Sequence, residues 1–332
     1  MNKFSGFWER NRISGGYLLK KTGGDLFYKL CRAILLFGLC FLILQPLLNK
    51  LSVSFMEQRD LYDGTVISIP RHFTLSNYAL AGRLLSFWPS FLQTLGIVIT
   101  SSVLQITACT LAGYGFARYK FPLKNFWFLC VMLIIVVPPQ TIMASLYLNF
   151  RFFDVFGIIR LIKGEGANML NSVAGFWLLS ATGMGLKSGL YIFMLRQYFR
   201  GVPKELEEAA YVDGCGRFKT FVLLMLPDAA PILTSCFLFS FVWQWTDSFY
   251  STLFLTNYNM LSSGLGGLAD RLSEWWAVVN GSNASAGSVA PVGYTQAIIA
   301  TGMLMCLAPL ILLYLAAQKA FVESLSQTGI KM

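Results

Sequence analysis

Long apolar segments separated by short polar ones dominate the chain. No Asp, Glu, Lys or Arg lies between Arg32 and Lys50, and a second charge-free window covers residues 84–117. A helix needs about 20 apolar residues to cross the hydrocarbon core of a membrane. The pattern therefore predicts an all-α membrane protein with six transmembrane helices. The predicted spans are about residues 31–53, 91–117, 125–150, 171–200, 229–250 and 294–318.

Two of these predicted spans contain helix-breaking residues. Pro138-Pro139 in the third span must break or kink its helix, which a membrane tolerates where neighbouring groups satisfy the freed backbone atoms. The fourth span is the least regular, because three glycines surround Lys187 between residues 183 and 189. A lysine there either snorkels to the outer interface or lines an internal aqueous path. Snorkelling is the favoured interpretation, because glycine-flanked breaks often lie near span ends.

Composition supports the membrane interpretation. Hydrophobic residues make up 55% of the 332 residues and charged residues only 13%, whereas soluble domains have about 25% charged residues. The seven cysteines form no spaced pairs, so neither a disulfide framework nor a zinc site is expected. The single histidine, His72, lies in a predicted loop, which disfavours histidine-based catalysis. We therefore expect no catalytic site, metal or cofactor in this chain.

The distribution of basic residues predicts the orientation. With the N-terminus assigned to the cytoplasm, the predicted cytoplasmic segments contain 17 Lys and Arg residues and the opposite loops 8. Cytoplasmic loops of membrane proteins carry such an excess, so nucleic-acid binding is not needed to explain the net charge of +10. The prediction is a cytoplasmic tail over residues 1–29, a transmembrane domain over 30–322 and a second cytoplasmic tail over 323–332.

The polar segment between the fourth and fifth spans, residues 201–227, predicts a short cytoplasmic helix. Pro203 suits the first helical position, and the glutamates that follow suit the positive end of the helix dipole. Two alanines then leave room for the close approach of a partner backbone, while the carboxylates can meet basic groups. Gly214 suits a left-handed helix stop, and Pro227 suits the start of the next helix.

This segment resembles the cytoplasmic coupling loop of the membrane subunits of ATP-binding cassette importers. Their motif is Glu-Ala-Ala, three residues, Gly, nine residues, an aliphatic residue, one more residue, then Leu-Pro. Every spacing is matched here, and Leu224 is the aliphatic residue. An ordinary charged loop capped by Gly and Pro is the alternative. The resemblance implies contact with an ATPase through Glu208, Ala209, Ala210, Asp213, Gly214, Leu226 and Pro227.

Further stretches are similar to the carbohydrate-uptake importers of the same superfamily, which include the maltose and multiple-sugar importers. The similarity runs from about residue 30 to the end of the chain. In the fifth span, Thr246 stands where that family carries Asn. The matching stretches are Pro70–Tyr78, Tyr114–Arg118, Val137–Gln140, Phe193–Arg200, Trp245–Phe249 and Gly329–Lys331.

The resemblance implies a type I importer permease architecture with a cytoplasmic coupling helix, in the bacterial cell membrane. The expected partners are a second, homologous permease as a heterodimer, two copies of a cytoplasmic ATP-binding subunit, and a solute-binding lipoprotein or periplasmic binding protein. The chain itself contains no Gly-x-x-x-x-Gly-Lys-Ser/Thr sequence, so it is expected to be no enzyme and to leave ATP hydrolysis to its partner. The coupling helix would transmit motion of the ATPase to the spans, so that access to a central site alternates between outside and inside.

The expected solute is a sugar or oligosaccharide, although the coupling motif is shared by permeases for amino acids and polyamines. An ion channel is a weaker alternative, because a channel has no reason to carry the spaced cytoplasmic motif. Aromatic residues at the end of the fifth span could stack on sugar rings, or could form part of an interfacial belt. The candidate solute-path residues are Trp243, Trp245, Asp247, Phe249 and Lys187. The polar stretch at about residues 276–292 is longer than the family's usual one; it could contact the binding protein or could simply be a tolerated insertion.

Overall fold

The structure is a computed structural model that describes residue 13 and residues 17–155, 157–280 and 290–329. All regular secondary structure in these residues is helical. The rest of the N-terminal tail, residues 281–289 of the long polar stretch and residues 330–332 of the C-terminal Gly-Ile-Lys resemblance lie outside the described residues. Backbone contacts divide the chain into two compact units, residues 1–77 and residues 78–332.

The first unit contains α1 (Tyr17–Ser54), whose segment Gly24–Ser54 is long and apolar enough to cross a membrane. This helix includes the predicted first span but begins within the predicted tail of residues 1–29. Its apolar side chains are largely exposed, as at Phe37, which is 76% exposed. An exposed apolar helix suits a lipid environment or a partner helix.

A polar loop follows α1 in the first unit. It contains a short 3-10 helix, Asp60–Tyr62, and the buried carboxylate of Asp60. Asp60 Oδ2 accepts hydrogen bonds from the backbone N–H groups of Arg71 (2.8 Å) and His72 (2.7 Å), and His72 Nδ1 lies 2.7 Å from Oδ1. The hydrogen bonds from the backbone and side chain of His72 hold the pKa of the Asp60 carboxyl below its usual range. His72, the single histidine of the sequence, therefore joins the two ends of this loop through Asp60.

The central helix of the second unit is α3 (Phe87–Arg118), which follows α2 (Ser76–Leu84) and contains the predicted second span. Its buried face carries several polar side chains, including Gln105 and Thr110. At Gly113 an added Cβ would lie 2.8 Å from Leu195 Cβ, so only glycine permits this close packing of α3 against the later helix that contains Leu195.

The predicted third span is broken, which confirms the break predicted at Pro138-Pro139. Helix α4 (Lys124–Val136) ends before the two prolines, and a 3-10 turn (Pro139–Ile142) leads into α5 (Met143–Arg151). The two arms are bent by 105°. The bend follows from the prolines, which cannot continue the hydrogen-bond ladder of a helix.

The predicted fourth span, residues 171–200, is not one helix. It consists of α7 (Val173–Ala181) and α8 (Ser188–Gly201), and the short α6 (Ile158–Lys163) precedes it. Gly183 has φ +71° and Lys187 has φ +62°, left-handed conformations that a continuing helix excludes. The break agrees with the irregularity that the glycines around Lys187 predicted, and the role of this segment as the fourth span stays a prediction.

The segment after α8 contains several short elements before the next long helix. They are α9 (Glu205–Val212), α10 (Arg217–Thr220), a π-helical turn (Phe221–Met225), α11 (Leu226–Asp228) and α12 (Ala230–Thr246). Helix α12 ends four residues before the predicted end of the fifth span at residue 250, because the backbone becomes extended at Asp247. The arms on either side of Ala229 are bent by 75°.

Four helices complete the second unit: α13 (Phe249–Phe254), α14 (Leu261–Gly266), α15 (Leu268–Asn280) and α16 (Val292–Gly329). Residues 276–280 of the predicted polar stretch therefore belong to a helix. Helix α16 contains the predicted sixth span and continues to residue 329, into the predicted tail 323–332. In the described residues, three helices are long and apolar enough to cross a membrane, or up to five spans if each bent pair is one; a count of six remains a prediction.

Candidate functional site

Helix α9, which carries the Glu-Ala-Ala motif, contacts the C-terminal end of α3 through its buried side. Glu207 is 7% exposed, and its Oε1 accepts a 2.8 Å hydrogen bond from Tyr114 Oη. Arg118 Nε lies 3.4 Å from the same oxygen, and Arg118 Nη2 donates to the carbonyl of Val202 at 2.8 Å. One arginine thus bonds both α9 and the residue that follows α8. We call Tyr114, Arg118 and Glu207 the anchor cluster.

The opposite side of α9 is open. Glu208 and Ala209 are exposed, and Val212 is 88% exposed. Val212 lies on the same helical face, four residues after Glu208 and three after Ala209. Phe218 on α10 is 77% exposed. Exposed apolar side chains beside carboxylates are typical of a protein-binding surface rather than of a solvated face. We call Glu208, Ala209, Val212 and Phe218 the coupling surface.

The turn after α9 depends on glycine at residue 214. Gly214 has φ +81°, and its N–H donates to the carbonyl of Tyr211 at 3.1 Å. The next N–H, of Cys215, donates to the carbonyl of Ala210 at 2.9 Å. Among the described residues, and apart from the chain neighbours, no heavy atom lies within 4 Å of a Cβ built on Gly214, so the backbone conformation, and not a lack of space, favours glycine. Asp213 is exposed beside this turn.

The Leu-Pro end of the motif lies on the far side of the π-helical turn. Leu226 is half-buried and packs against the buried core around Tyr191 and Phe199, whereas Pro227 is exposed at the start of α11. Tyr198 of α8 donates a 2.6 Å hydrogen bond to the carbonyl of Asp228. The motif residues are therefore distributed over one exposed helix and one partly buried turn.

The sequence predicts that the carboxylates of α9 can meet basic groups of a partner, but it does not predict that Glu207 bonds within the chain. A signal was present: Tyr114 and Arg118 are four residues apart, so they share one face at the end of α3. A buried cation at such a position needs a carboxylate nearby. Glu207 is that carboxylate, which leaves Glu208 to face outward.

Two of the solute-path candidates lie together in a cavity. Lys187 Nζ lies 5.1 Å from the ring centroid of Trp243, a cation–π arrangement. Both residues line a cavity of about 370 Å³ together with Leu133, Pro139 and other residues of α4, the 3-10 turn and α8. The cavity lies where the break of the third predicted span faces the break of the fourth.

A smaller, adjoining cavity of about 250 Å³ is also lined by Lys187 and Trp243, and adds Asp247 and Phe249. Asp247 is largely occupied with its own chain: its carboxylate accepts from the backbone N–H groups of Phe249 (3.2 Å) and Ser251 (3.0 Å). This carboxylate caps the start of α13. Phe249 is half-buried at the edge of the cavity.

Trp245 lies apart from the other candidates. It is 2% exposed, its Nε1 donates to the carbonyl of Cys306 at 3.1 Å, and its ring stacks on Phe241 with centroids 5.6 Å apart. It lines neither of the two cavities that contain Lys187. Trp245 therefore packs the core that supports α12. Within the described residues, no group of three or more His, Cys, Asp or Glu side chains is arranged to hold a metal ion.

Comparison with known proteins decides the family. The model of the binding-protein-dependent transport system inner membrane component family matches residues 105–327, which include α9, the anchor cluster and both cavities. The chain belongs to this family. It is a membrane protein and a permease subunit that works with other transporter subunits.

Individual relatives agree with this assignment. A probable ABC transporter permease protein of Pyrococcus horikoshii is 31% identical over 223 residues, which cover 66% of this chain and 74% of the relative. The arabinooligosaccharides transport system permease protein of Halalkalibacterium halodurans is 26% identical over 88% of this chain and 93% of its own length. The crystal structure of a bacterial ABC transporter that imports the acidic polysaccharide alginate contains a chain of the same fold, with a TM-score of 0.68, 19% identity and coverage of 90% of this chain and 98% of that one.

Proposed function

We propose that this permease carries a sugar or oligosaccharide through the bacterial cell membrane and forms half of the translocation path, with both termini cytoplasmic. The sugar class is supported by the names of several relatives. They include permeases for arabinooligosaccharides, alpha-glucosides, maltodextrin, and melibiose, raffinose and stachyose. The partners in this proposal are a second homologous permease, two copies of an ATP-binding subunit and an external solute-binding protein.

The coupling surface carries the mechanistic part of the proposal. The anchor cluster joins the buried side of α9 to α3 and to the residue that follows α8. In our proposal a displacement of the coupling surface is therefore transmitted to α3 and α8, because α9 cannot move independently of them. In our proposal the ATP-binding subunit docks over Ala209 and Gly214, with Glu208 and Asp213 facing basic groups at its edge and Leu226-Pro227 supporting the turn. Closure of the ATP-bound subunits then moves α9, and the helices attached to it move together.

The solute path in this proposal is the pair of cavities beside the helix breaks. Lys187, Trp243 and Phe249 would contact the solute there, since an aromatic face and an ammonium group suit the C–H faces and hydroxyl groups of a sugar. Asp247 and Trp245 would support the path by capping α13 and by packing α12. Lys187 lies over an aromatic ring that lines a cavity, which favours the path over simple snorkelling.

A second candidate is import of another small solute. The osmoprotective compounds uptake permease protein of Synechocystis is 32% identical over 55% of this chain. The cation–π pair at Lys187 does not by itself select a sugar. The two candidates differ in the solute and share the partners and the coupling surface.

The experiment begins with the tagged chain, purified in mild detergent from its own cell, and the proteins that accompany it. We expect an ATP-binding subunit and a second permease, and a chain that comes out alone would contradict the proposal. The assembled transporter in proteoliposomes, with its binding protein added outside, is then given labelled maltotriose, raffinose, arabinotriose or glycine betaine. ATP-dependent uptake of a sugar supports the first candidate, and uptake of glycine betaine alone supports the second.

A further inference from the structure

A single buried amide on α3, that of Gln105, connects the helix break that contains Lys187 to α12, the helix that carries Trp243. Gln105 is fully buried. Its Nε2 donates to the carbonyl of Leu186 and to Ser188 Oγ, both at 2.7 Å. Ser188 Oγ in turn donates to the carbonyl of Gly185 at 2.8 Å. This side of the amide is therefore bonded across the break between α7 and α8.

The other side of the same amide is bonded to α12. Gln105 Oε1 accepts hydrogen bonds from Ser240 Oγ and from Gln244 Nε2, both at 2.7 Å. Ser240 and Gln244 are also buried, and Gln244 Nε2 donates to Ser240 Oγ at 2.9 Å. A glutamine side chain has two donors and two acceptor positions, so all four are used here. A carbonyl oxygen can only accept a hydrogen bond, so the Gln105 atom that faces Leu186 must be the NH₂ group, and Oε1 must face α12.

These bonds flank both members of the cation–π pair. Leu186 and Ser188 are the residues on either side of Lys187, and Gln244 directly follows Trp243. Lys187 itself has φ +62°, a backbone conformation that residues other than glycine and asparagine rarely adopt. Such a strained residue persists only where the surrounding structure stabilises it. Gln105 provides bonds on both sides of this residue.

The local sequence leaves space for the amide. A Cβ on Gly185 would lie 3.0 Å from Gln105 Nε2 and 3.2 Å from its Cδ, so a larger residue would press against the amide. The glycine-rich stretch around Lys187 therefore serves a contact as well as a turn. A helix break inside a membrane protein also leaves carbonyl groups that other donors must satisfy, and Gln105 satisfies that of Leu186.

We propose that Gln105 is a positioning residue for the solute path: its amide holds Lys187 at the helix break against Trp243 on α12. The proposal rests on the proposed function in one respect, that the pair lines the path. Gln105 itself lines neither cavity that contains the pair, so it acts through Lys187 and Trp243. Loss of the amide would let the two helices separate at this point while each helix remains formed.

The test reads the geometry of the pair without a solute. The assembled transporter is labelled with 5-fluorotryptophan, and the Trp243 resonance in its fluorine NMR spectrum is identified by its loss in Trp243→Phe. Lys187→Met is expected to shift that resonance by removing the cation over the ring. Gln105→Met, which keeps the length of the side chain, is expected to shift it as well. Thr110→Val is the matched control.

The control residue, Thr110, is also buried on α3, but within the described part of the chain its hydroxyl donates only to the carbonyl of Ile106 on its own helix, at 2.6 Å. We expect Thr110→Val to leave the Trp243 resonance in place. The decisive comparison is the double variant: if Gln105 acts through Lys187, Gln105→Met should add nothing in a Lys187→Met background. An unshifted resonance in Gln105→Met, or the same shift with and without Lys187, would overturn the proposal.

Two further measurements complete the test. If Gln105→Met does not assemble, Ser240→Ala removes one of the four bonds and is expected to produce a smaller shift of the same resonance. Uptake is measured with whichever of maltotriose, raffinose, arabinotriose and glycine betaine the transporter takes up fastest. Gln105→Met should raise the KM for that solute, and the fold-increase in KM should be about tenfold greater than the fold-decrease in the maximal rate. If Gln105→Met shifts the Trp243 resonance only when Lys187 is present but leaves the KM for uptake unchanged, Gln105 positions the Lys187–Trp243 pair, and the pair is not part of the solute path.

Discussion

The anchor cluster and the Gln105 amide lie on the same helix, α3, and solve the same problem in different ways. The anchor cluster uses charge: Glu207 faces Arg118 at 3.4 Å, near the exposed surface of α9. The Gln105 amide is neutral and fully buried, and it uses all four of its own hydrogen-bonding positions. A buried ion pair is costly to desolvate, whereas a fully bonded amide carries no net charge. Charge is therefore used just beneath the exposed surface of α9, and a neutral amide is used deeper among the helices.

The largest effect is expected at Gly214, in the exposed turn that follows α9. Gly214→Asp should leave membrane insertion intact but reduce coupled uptake at least about tenfold, because a new carboxylate would stand where we propose that the ATP-binding subunit docks. Gly214→Asn is the control, since asparagine tolerates the left-handed conformation as well as aspartate and adds no charge. The measurement is ATP hydrolysis and uptake in the same proteoliposomes. Normal uptake by Gly214→Asp would contradict the coupling assignment.

The next effect concerns the ion pair itself. Glu207→Ala leaves the buried guanidinium of Arg118 without its carboxylate, and breaking a buried pair in this way costs about 3–5 kcal/mol. We expect a lower midpoint of thermal unfolding for the purified transporter, together with weaker binding of the ATP-binding subunit. Glu208→Ala, one residue further along, is the matched control and should lower binding without lowering the midpoint. Equal midpoints for the two variants would show that Glu207 does not anchor α9.

A smaller effect is expected when only the hydroxyl is removed. Tyr114→Phe keeps the ring, which packs against Phe199 and Phe221, and removes the 2.8 Å hydrogen bond to Glu207. A hydrogen bond to a charged group contributes about 1.5–3 kcal/mol. The thermal midpoint should therefore fall less than in Glu207→Ala, and the double variant should cost little more than Glu207→Ala alone. Full additivity would mean that the two side chains act separately.

The smallest effect is expected outside both clusters, at the loop carboxylate in the first unit. The pKa of Asp60 is lowered, so its contribution to loop stability is present above the ordinary carboxyl pKa and is lost as the pH falls through the lowered value. Amide hydrogen exchange at Arg71 and His72 should therefore rise, relative to neighbouring amides, only well below about pH 4. Asp60→Asn should remove this pH dependence, and Asp63→Asn should retain it. A transition that Asp60→Asn leaves in place would assign it to another group.

The comparison also shows what the sequence could and could not reveal. The spaced motif, the break at Pro138-Pro139 and the long apolar segments could be predicted, because each depends on residues close together in the chain. Neither buried cluster could, since Gln105 meets Gln244 and Tyr114 meets Glu207 across more than ninety residues. A polar residue inside an apolar segment is a visible signal, but its partner is determined by the packing of the helices.

The same limit explains the uneven placement of the solute-path candidates. Trp243 and Trp245 are two residues apart and look equivalent in sequence, yet one is 45% exposed at a cavity and the other is in the core. Two residues on a helix differ by about 200° in direction, so their surroundings cannot be the same. Trp245 faces α16, whose Cys306 carbonyl accepts its Nε1–H, and Trp243 faces Lys187.

The close contact at Gly113 has a mechanical consequence. Helix α8 has 14 residues, so it is about 21 Å long, with α9 beyond one end and Lys187 beyond the other. Near its middle it packs so closely on Gly113 of α3 that a Cβ there would clash with Leu195. Gln105 of α3 also bonds Ser188 at the start of α8, and Arg118 of α3 bonds the carbonyl of Val202 just after its end. In the proposed mechanism α3 and α8 would therefore move as one rigid lever, and a displacement of α9 would reach Lys187 in the same direction.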